Sequence, residues 1–300
     1  MTAVIETDNL TKLYGDHRAI SNINLEVHEG EVFGYLGPNG AGKTTTIRTL
    51  LDFIRPTSGG ASIFGLDVRA NSREVKRRLA YLPGDIMLYE KLTGLEALTY
   101  TANLRGGVDW RFVEELAERL ECDLTRKIGS LSRGNKQKVG LIKAFMSRPE
   151  LIIMDEPSSG LDPLMQREFY RLIDEVKADG RTVFISSHII PEVERVCDRV
   201  GIIRQGELVT VEDISDLRER ALHQLEFHFS APVPLEAFTG LPGVRDVAVN
   251  GSVLSCTTMG SPDALIKAVA RYEVVKLVSQ EAHLEDVFLS YYGAGENHDA

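Results

Sequence analysis

The first two thirds of the chain alternate short apolar segments with segments of helical periodicity. Apolar runs at residues 31–37, 151–157 and 181–188 end in glycine or polar residues and predict buried strands. Strands that alternate with helices predict an α/β fold with a parallel sheet, in which ligands bind at the carboxyl ends of the strands. We therefore expect the polar residues that end these strands to carry the chemistry.

The helix after the first of these strands has a clear apolar face. Its apolar residues recur at positions i, i+3, i+4 and i+7, and they are Ile47, Leu50, Leu51 and Ile54. This spacing predicts that one side of the helix packs on the core. The proline and two glycines within residues 55–60 predict a turn that ends the helix.

The pattern changes after about residue 217. The predicted elements beyond this point are a strand over residues 223–230, a hairpin over 244–258, a helix over about 262–272, a strand over 273–278 and a terminal helix. The hairpin is expected to turn at Asn250-Gly251, because both residues tolerate the positive φ of a tight turn. We therefore expect an α/β domain over residues 1–217, a small α+β domain over 218–292 and a disordered tail over 293–300.

Composition and charge narrow the class of protein. Hydrophobic residues make up 43% and charged residues 26% of the chain, which is ordinary for a globular protein with a full core. The net charge of −10 argues against broad nucleic-acid binding, although it allows a local basic patch. No nucleic-acid partner is therefore expected.

Cysteines and apolar runs indicate the compartment. Cys122, Cys197 and Cys256 are scattered and predict inert thiols in a reducing cytosol, not a disulfide framework or a metal site. The first residues lack the basic and apolar segments of a secretory signal, and no apolar run approaches the ~18 residues of a spanning helix. We expect a soluble protein that reaches a membrane only through a partner.

A phosphate-binding loop is the strongest chemical motif. Residues 37–44, Gly-Pro-Asn-Gly-Ala-Gly-Lys-Thr, fit the pattern G-x-x-x-x-G-K-[ST] between a strand and a helix. The glycines let backbone N–H groups turn towards phosphate oxygens, and the start of the helix adds its positive end. Lys43 would reach the β- and γ-phosphates, and the Thr44 hydroxyl would bind Mg²⁺. A glycine turn with an unrelated lysine is the minor alternative.

Polar residues also end the next two strands. Asp155 ends an apolar strand, where a carboxylate is unfavourable unless it serves a cation or a hydrogen-bond network, so we expect it to help hold Mg²⁺. Glu156 follows it and could act as general base on an attacking water, or could merely cap a turn before Pro157. His188 ends the following strand and is expected at the γ-phosphate, with a structural role as the alternative.

Four motifs stand in order along the chain: GPNGAGKTT, LSRGNKQ, LIIMDEPSSGLD and SSH. Together they resemble the ATP-binding subunit of an ABC transporter over about residues 4–217. The resemblance implies a P-loop NTPase ABC cassette, with a RecA-like core sheet and a helical subdomain at about residues 86–150. The segments YLPGDIMLYEKLTGLEAL and LEDVFLSYYG (residues 284–293) are similar to those of ABC-2 type ATPases, which serve drug, antibiotic and sodium efflux.

The resemblance also implies roles for individual residues. Tyr14 would stack on adenine, although its sequence alone indicates only a half-buried surface aromatic. Ser132 and Gly134 would close over the γ-phosphate held by a partner chain in a homodimer or heterodimer, whereas LSRGNKQ alone would predict only a helix capped by Ser132. The residues expected to contact ATP are Tyr14, Gly37, Pro38, Asn39, Gly40, Ala41, Gly42, Lys43, Thr44, Thr45, Ser132, Gly134 and Asp162. The residues expected in catalysis are Glu156 and His188, and those expected at Mg²⁺ are Thr44, Asp155 and Asp85.

Position 84 departs from the family pattern. After YLP the family places a glutamine, or in many ABC-2 members a glutamate, as a ligand of Mg²⁺ and water and as a relay to the membrane partner. Gly84 stands here, followed by Asp85. Either Asp85 takes over this role, in which case Gly84→Gln should be tolerated, or water takes the place. Beyond it, Met87, Leu88 and Tyr89 are expected to face the permease, with packing in the interior as the alternative.

The favoured function is ATP hydrolysis that powers export of a substrate through a separate ABC-2 type membrane permease. The subunit would lie in the cytoplasm, on the inner face of the cell membrane. One alternative is a soluble ABC ATPase in translation or repair, but the single cassette and the lack of long coiled-coil or zinc segments argue against it. A second alternative is ligand sensing by the C-terminal domain, for which oligomer stabilisation is the simpler expectation.

Overall fold

The computed structural model describes residues 2–220 and 222–280. The chain divides into two compact units, with the boundary between residues 212 and 213. This boundary lies earlier than the one predicted after residue 217, because a helix runs through that position. The predicted terminal helix, the segment 284–293 and the tail at 293–300 lie outside the described residues.

Strands and helices alternate along the first unit. Its strands are β1 (Ala3–Tyr14), β2 (His17–Ile23), β3 (Glu26–His28), β4 (Val32–Leu36), β5 (Ser58–Ile63), β6 (Leu66–Asp67), β7 (Leu79–Leu82), β8 (Leu151–Asp155), β9 (Thr182–Ser187), β10 (Arg199–Arg204) and β11 (Glu207–Asp213). Its helices are α1 (Lys43–Leu50), α2 (Ser72–Arg78), α3 (Gly94–Leu104), α4 (Trp110–Arg119), α5 (Arg133–Phe145), α6 (Pro163–Ala178) and α7 (Ile190–Val196), with a short 3-10 helix at Ile128–Ser130.

The main sheet of the first unit has the strand order β11-β10-β4-β9-β8-β7. Its pairs from β10 to β7 are parallel, which confirms the predicted α/β sheet. Every residue of β4, β8 and β9 is buried, as expected for parallel strands covered on both faces. The carboxyl ends of these three neighbouring strands therefore bring the residues that follow them to one edge.

Gly34 shows how closely a helix packs on this sheet. It lies in β4, and a Cβ atom at this position would lie 2.9 Å from both Cys197 Sγ and Val193 Cγ1. Val193 belongs to α7 and Cys197 follows that helix directly. The glycine therefore allows α7 to lie close behind the strand that leads into the phosphate-binding loop.

The second sheet of this unit is antiparallel, with the order β2-β1-β5-β6 and with β3 also paired to β1. Two predictions at its border are wrong. The helix predicted to include Ile54 ends at Leu50, because Asp52 adopts a left-handed φ of 51°. Residues 58–60 begin β5 and do not form the predicted turn. They pair with β1, and the two strands are so close that a Cβ atom on Gly59 would lie 2.2 Å from the Asn9 carbonyl oxygen.

The second unit is a small α+β structure. Its elements are α8 (Ile214–Arg220), β12 (Leu222–Phe229), a 3-10 helix (Leu235–Ala237), β13 (Val244–Asn250), β14 (Val253–Met259), α9 (Asp263–Val269) and β15 (Val274–Gln280). The antiparallel sheet has the order β13-β14-β12-β15. The predicted hairpin is confirmed, with Asn250 paired to Val253 and Gly251 at a φ of 64°. Helix α9 is shorter than predicted, because Arg271 and Tyr272 donate to carbonyls three residues back in a tight turn.

Candidate active site

The loop between β4 and α1 forms a backbone cradle. Gly40 and Gly42 have φ values of 81° and 109°, in the left-handed region that favours glycine. A Cβ atom on Gly42 would also lie 2.7 Å from the Ala19 carbonyl oxygen. Gly42 caps α1, whose first backbone N–H groups have no partner within the helix. The loop and the helix end together favour an anion.

Lys43 places a buried ammonium group in this cradle. Its side chain is 6% exposed, and its Nζ donates to the carbonyl oxygens of Gly37 at 2.6 Å and Pro38 at 3.2 Å. Nζ also lies 3.2 Å from Oε1 of Glu156. A buried cation is unfavourable unless it is paired, and these three oxygens supply that pairing. The charge of Lys43 is thus held at the carboxyl edge of the main sheet.

Thr44 and Asp155 meet at the same edge. The Thr44 hydroxyl donates to Oδ2 of Asp155 at 2.8 Å, and the Ser186 hydroxyl donates to Oδ1. A hydroxyl and a carboxylate are oxygen ligands of the type that Mg²⁺ prefers. In the part of the chain that the structure describes, no group of three or more His, Cys, Asp or Glu residues could hold a metal. The oxygen atoms of Thr44 and Asp155 fit as two ligands of Mg²⁺, and water and phosphate would supply the remaining ligands.

Glu156 lies between a lysine and a histidine. Its Oε2 is 2.7 Å from Nδ1 of His188, and its Oε1 is the oxygen beside Lys43. The residue has a left-handed φ of 50°, and its N–H donates to the Ser186 carbonyl at 3.0 Å. A non-glycine residue in this region is strained, and such strain is often found at functional sites. The strained turn directs the Glu156 carboxylate towards the cradle.

A cavity of about 360 Å³ joins Tyr14 to the phosphate-binding loop. Its lining includes Tyr14, Pro38, Asn39, Gly40, Gly42, Lys43, Thr44, Thr45 and Glu156, together with His17 and Ala19. Tyr14 is 49% exposed, and Lys12 Nζ lies 5.1 Å from its ring centroid. His17 was not singled out from the sequence. The sequence signal that could have indicated His17 is the turn at Gly15-Asp16, which pairs His17 with Tyr14.

The residues of LSRGNKQ lie elsewhere in the unit, against the loop that follows β8. Ser132 caps α5 by accepting from the Asn135 N–H at 3.3 Å, and it is exposed. A Cβ atom on Gly134 would lie 2.7 Å from the Gly160 carbonyl oxygen, so glycine is needed for this approach. Asp162 caps α6 by accepting from the backbone N–H groups of residues 164 and 165. None of these three residues lines the cavity beside Lys43.

Asp85 is a predicted metal-side residue that does not line the cavity beside Lys43. It is exposed and lines a different cavity, of about 340 Å³, together with Leu131, Arg133 and Lys136. Within residues 2–220 and 222–280 it forms no hydrogen bond with Thr44 or Asp155. Its neighbour Gly84 lies next to Asp155, where a Cβ atom would be 3.1 Å from the Asp155 carbonyl oxygen. The expectation that Asp85 supplies the metal-side contact is therefore not supported.

A phosphate-binding loop after the buried parallel strand β4, with a carboxylate at the end of β8, two strands along the same sheet, defines a P-loop nucleotide hydrolase. A family model described as ABC transporter matches residues 20–159. The bacitracin transport ATP-binding protein BcrA of Bacillus licheniformis is 36% identical, over 98% of this chain and 99% of the relative. The linearmycin resistance ATP-binding protein LnrL of Bacillus subtilis is 32% identical, over 97% and 98%. The chain belongs to the ABC transporter family and is an ATP-hydrolysing subunit.

Solved structures agree with this fold. One described as the ATP-binding subunit of an ABC transporter has a TM-score of 0.67 and 33% identity, covering 72% of this chain and 92% of its own. The dimeric structure of MJ0796, a bacterial ABC transporter cassette, has a TM-score of 0.65 and 25% identity, covering 70% and 98%. Among the helices that the structure describes, none is long and apolar enough to cross a membrane.

Proposed function

We propose that the chain hydrolyses Mg²⁺-bound ATP to drive export of an antibiotic-like compound through an ABC-2 type permease. The observation that carries the chemistry is the placement of Glu156 between Lys43 and His188, next to the oxygens of Thr44 and Asp155. The names of the relatives BcrA and LnrL, for bacitracin transport and linearmycin resistance, support an antibiotic cargo. With its permease, the subunit would lie at the inner face of the cell membrane.

The proposed roles follow from the chemistry of each side chain. Lys43 would bind the β- and γ-phosphates, Tyr14 would stack on the base, and Thr44 with Asp155 would hold Mg²⁺, which neutralises phosphate charge. A water oxygen would bond to the γ-phosphorus as the bond to the bridging oxygen of ADP breaks. Glu156 would take up a proton from that water. His188 would orient the Glu156 carboxylate through the 2.7 Å contact.

We further propose that each site is completed by a partner chain. Ser132 is exposed, and although its oxygen already accepts a hydrogen bond as a helix cap, its hydroxyl hydrogen remains free to donate to a phosphate. Its absence from the lining of the Lys43 cavity supports a role towards another chain's nucleotide. The dimeric cassette of MJ0796 supports the same arrangement. Whether the partner is an identical or a related chain depends on the transporter.

A surface of exposed apolar residues, Met87, Tyr89, Tyr100 and Leu104, is the proposed permease-docking groove. Met87 is 83% and Leu104 71% exposed, which argues against the alternative that this segment packs in the interior. Tyr89 and Tyr100 form an edge contact at 5.9 Å, and the groove encloses about 490 Å³. Contiguous exposed apolar surface on a soluble domain is typical of an interaction site.

A basic cavity adjoins the docking groove at Leu104, which lines both. This cavity, of about 1130 Å³, is lined by the cations Arg73, Lys76, Arg77, Arg78, Arg105 and Arg148 and by the carboxylates Glu74 and Glu150. Helices α2, α3 and α5 end near it, but roughly half a negative charge for each helix end does not cancel the excess of cations. The local charge is therefore opposite to that of the whole chain, which supports an acidic segment on the permease.

The substitution Glu156→Gln tests the proposed hydrolysis. It removes the proton acceptor and keeps the size of the side chain, so turnover should fall ~10²–10⁴-fold while ATP binding is retained. The measurement is phosphate release together with nucleotide binding on the purified subunit. Glu114→Gln changes an exposed carboxylate on α4 and is the matched control. Turnover at the rate of the unaltered chain in Glu156→Gln would remove Glu156 from the role of base.

A further inference from the structure

Glu192 is a buried carboxyl group next to the active site. It lies in the first turn of α7, and it is 1% exposed. It forms no ion pair with a described cation, and its Oε1 is buried without a hydrogen-bond partner. A buried carboxylate with neither a cation nor a full set of donors is strongly unfavourable. The surroundings of Glu192 therefore favour the neutral acid.

The other oxygen of Glu192 connects it to the His188 turn. Ser187 donates its hydroxyl to Oε2 at 2.5 Å, and the same Ser187 oxygen accepts the Ile189 N–H at 3.0 Å. Ser187 and Ile189 flank His188 in the chain. These two bonds fix the turn that presents His188 to Glu156.

A second contact reaches the loop after Glu156. Ser158 is buried, and its hydroxyl lies close enough to the Glu192 carboxyl to lower the pKa of that group. Glu192 thus lies beside both segments that carry the Glu156–His188 pair. The 2.7 Å distance within that pair depends on the relative position of these two segments.

The charged and titratable groups around Glu192 reinforce its neutral form. Burial raises the pKa of Glu192 above its usual range, and the nearby Glu156 carboxylate raises it further, whereas Ser187, Ser158 and His188 oppose the rise. From α6, Tyr170 faces it, and from the end of α7, Cys197. Burial raises the pKa of both groups, so neither Tyr170 nor Cys197 supplies a charge that would pair with Glu192.

We propose that Glu192 is a positioning residue that, as a neutral carboxylic acid, braces the His188 turn against the loop after Glu156. This proposal rests on the proposed function, because it gives Glu192 its effect through the catalytic pair. Ionisation of Glu192 would strengthen the bond from Ser187, but it would place a second negative charge near Glu156 and so displace the Glu156 carboxylate from its contact with His188. Glutamine can replace the neutral acid, because it keeps an acceptor for Ser187 and adds a donor where Oε1 has none.

The test compares the pH dependence of ATP turnover in three proteins: the unaltered chain, Glu192→Gln and Glu192→Ala. Below the raised pKa of Glu192, Glu192→Gln should match the unaltered chain, and Glu192→Ala should lose up to ~10²-fold in kcat with KM for ATP unchanged. As pH rises through the raised pKa of Glu192, the unaltered chain should lose turnover and Glu192→Gln should not. Glu194→Gln, on the same helix, is the control and should keep this loss. If Glu192→Ala does not fold, Glu192→Gln alone carries the test.

Thermal unfolding tests the neutral form of Glu192 independently of the role of Glu156 as general base. A neutral group with a raised pKa contributes stability below its unfolded pKa, and this contribution is lost as pH rises through the folded pKa. Glu192→Gln should therefore gain Tm over the unaltered chain as pH rises, whatever the role of Glu156. The proposal is overturned if Glu192→Gln keeps the loss of turnover as pH rises, or if it is impaired below the pKa of Glu192. A pH-dependent gain in Tm without a change in the turnover profile would also overturn it, since it would show a structural role only.

Discussion

Gly84 faces the backbone of Asp155 so closely that its lack of a side chain shapes the active site. A Cβ atom at Gly84 would lie 3.1 Å from the Asp155 carbonyl oxygen and 3.7 Å from its Cγ. Gly84 does not have a positive φ, so its conformation does not demand glycine. The contact with Asp155 is what favours glycine, and it argues against the expectation that glutamine would be tolerated here.

We predict that Gly84→Ala lowers kcat, because Asp155 must move by a few tenths of an ångström and carries its carboxylate with it. The loss should be smaller than the ~10²-fold that a displacement of about 1 Å can cause, and Gly84→Gln should lose more. The measurement is turnover as a function of Mg²⁺ concentration. Asp85→Ala is the matched control, because the neighbouring side chain is exposed and lines another cavity. An equal loss in Asp85→Ala would contradict this explanation.

The sequence predicted the residues that end strands and missed those that support them. Asp155, Glu156 and His188 could be placed together because neighbouring parallel strands end at one edge. Ser186 and Glu192 could not, because their contacts depend on how strand ends and α7 pack in space. The role of Asp85 stays a prediction, since the sequence alone could not show that Asp85 lines another cavity than the one beside Lys43.

Helix α3 leaves large apolar side chains exposed. Its Tyr100 and Leu104 face the same groove as Met87 and Leu88. The start of α3 is stabilised by a reciprocal capping box between Thr93 and Glu96. A firmly capped helix that leaves large apolar side chains exposed is suited to docking a partner. Apolar periodicity could predict the helix but not which of its faces stays uncovered.

We predict that Leu104→Glu abolishes co-purification with the cognate permease and leaves the basal ATPase rate of the isolated subunit unchanged. The reason is that a carboxylate at the border of the docking groove is unfavourable in an apolar contact. The assay is affinity capture of a tagged permease from detergent extracts, with ATPase measured separately. Ile266→Glu introduces the same charge at an exposed apolar residue of α9 and should have no effect. Loss of folding or of basal turnover in Leu104→Glu would show instead that Leu104 stabilises the subunit.

At the scale of the whole molecule, one chain carries the phosphate-binding loop and a second element, at Ser132, that we propose to contact phosphate. The cradle at Lys43 and the helix cap at Ser132 do not line a common cavity in the described residues. Two such elements in one chain favour a head-to-tail dimer in which each site takes one element from each chain. The sequence predicted both elements by motif. It could not place them relative to each other, because that distance depends on the packing of the segment that contains α3 to α5.

We predict that two inactive variants restore one site when they are mixed. Lys43→Ala removes the phosphate-binding ammonium, and Ser132→Asp keeps the cap of α5 while it places a negative charge against the γ-phosphate. In a mixed dimer both lesions fall in one site and the other site is intact. The measurement is occluded ATP per dimer of differently tagged chains, and about one per mixed dimer is expected, against none in either homodimer. No occlusion in dimers shown to be mixed would contradict shared sites.

The absence of Ser132 from the Lys43 cavity also has a consequence for inheritance, because it favours a two-chain unit. A dimer of one sound and one damaged copy keeps one intact site, and it fails where coupled turnover needs both sites. A cell that makes equal amounts of sound and damaged chain, paired at random as homodimers, would keep only about one quarter of its dimers free of damage. Lesions at Lys43 or Ser132 should therefore behave as dominant alleles, whereas lesions that prevent folding, which remove a chain from pairing altogether, should be recessive.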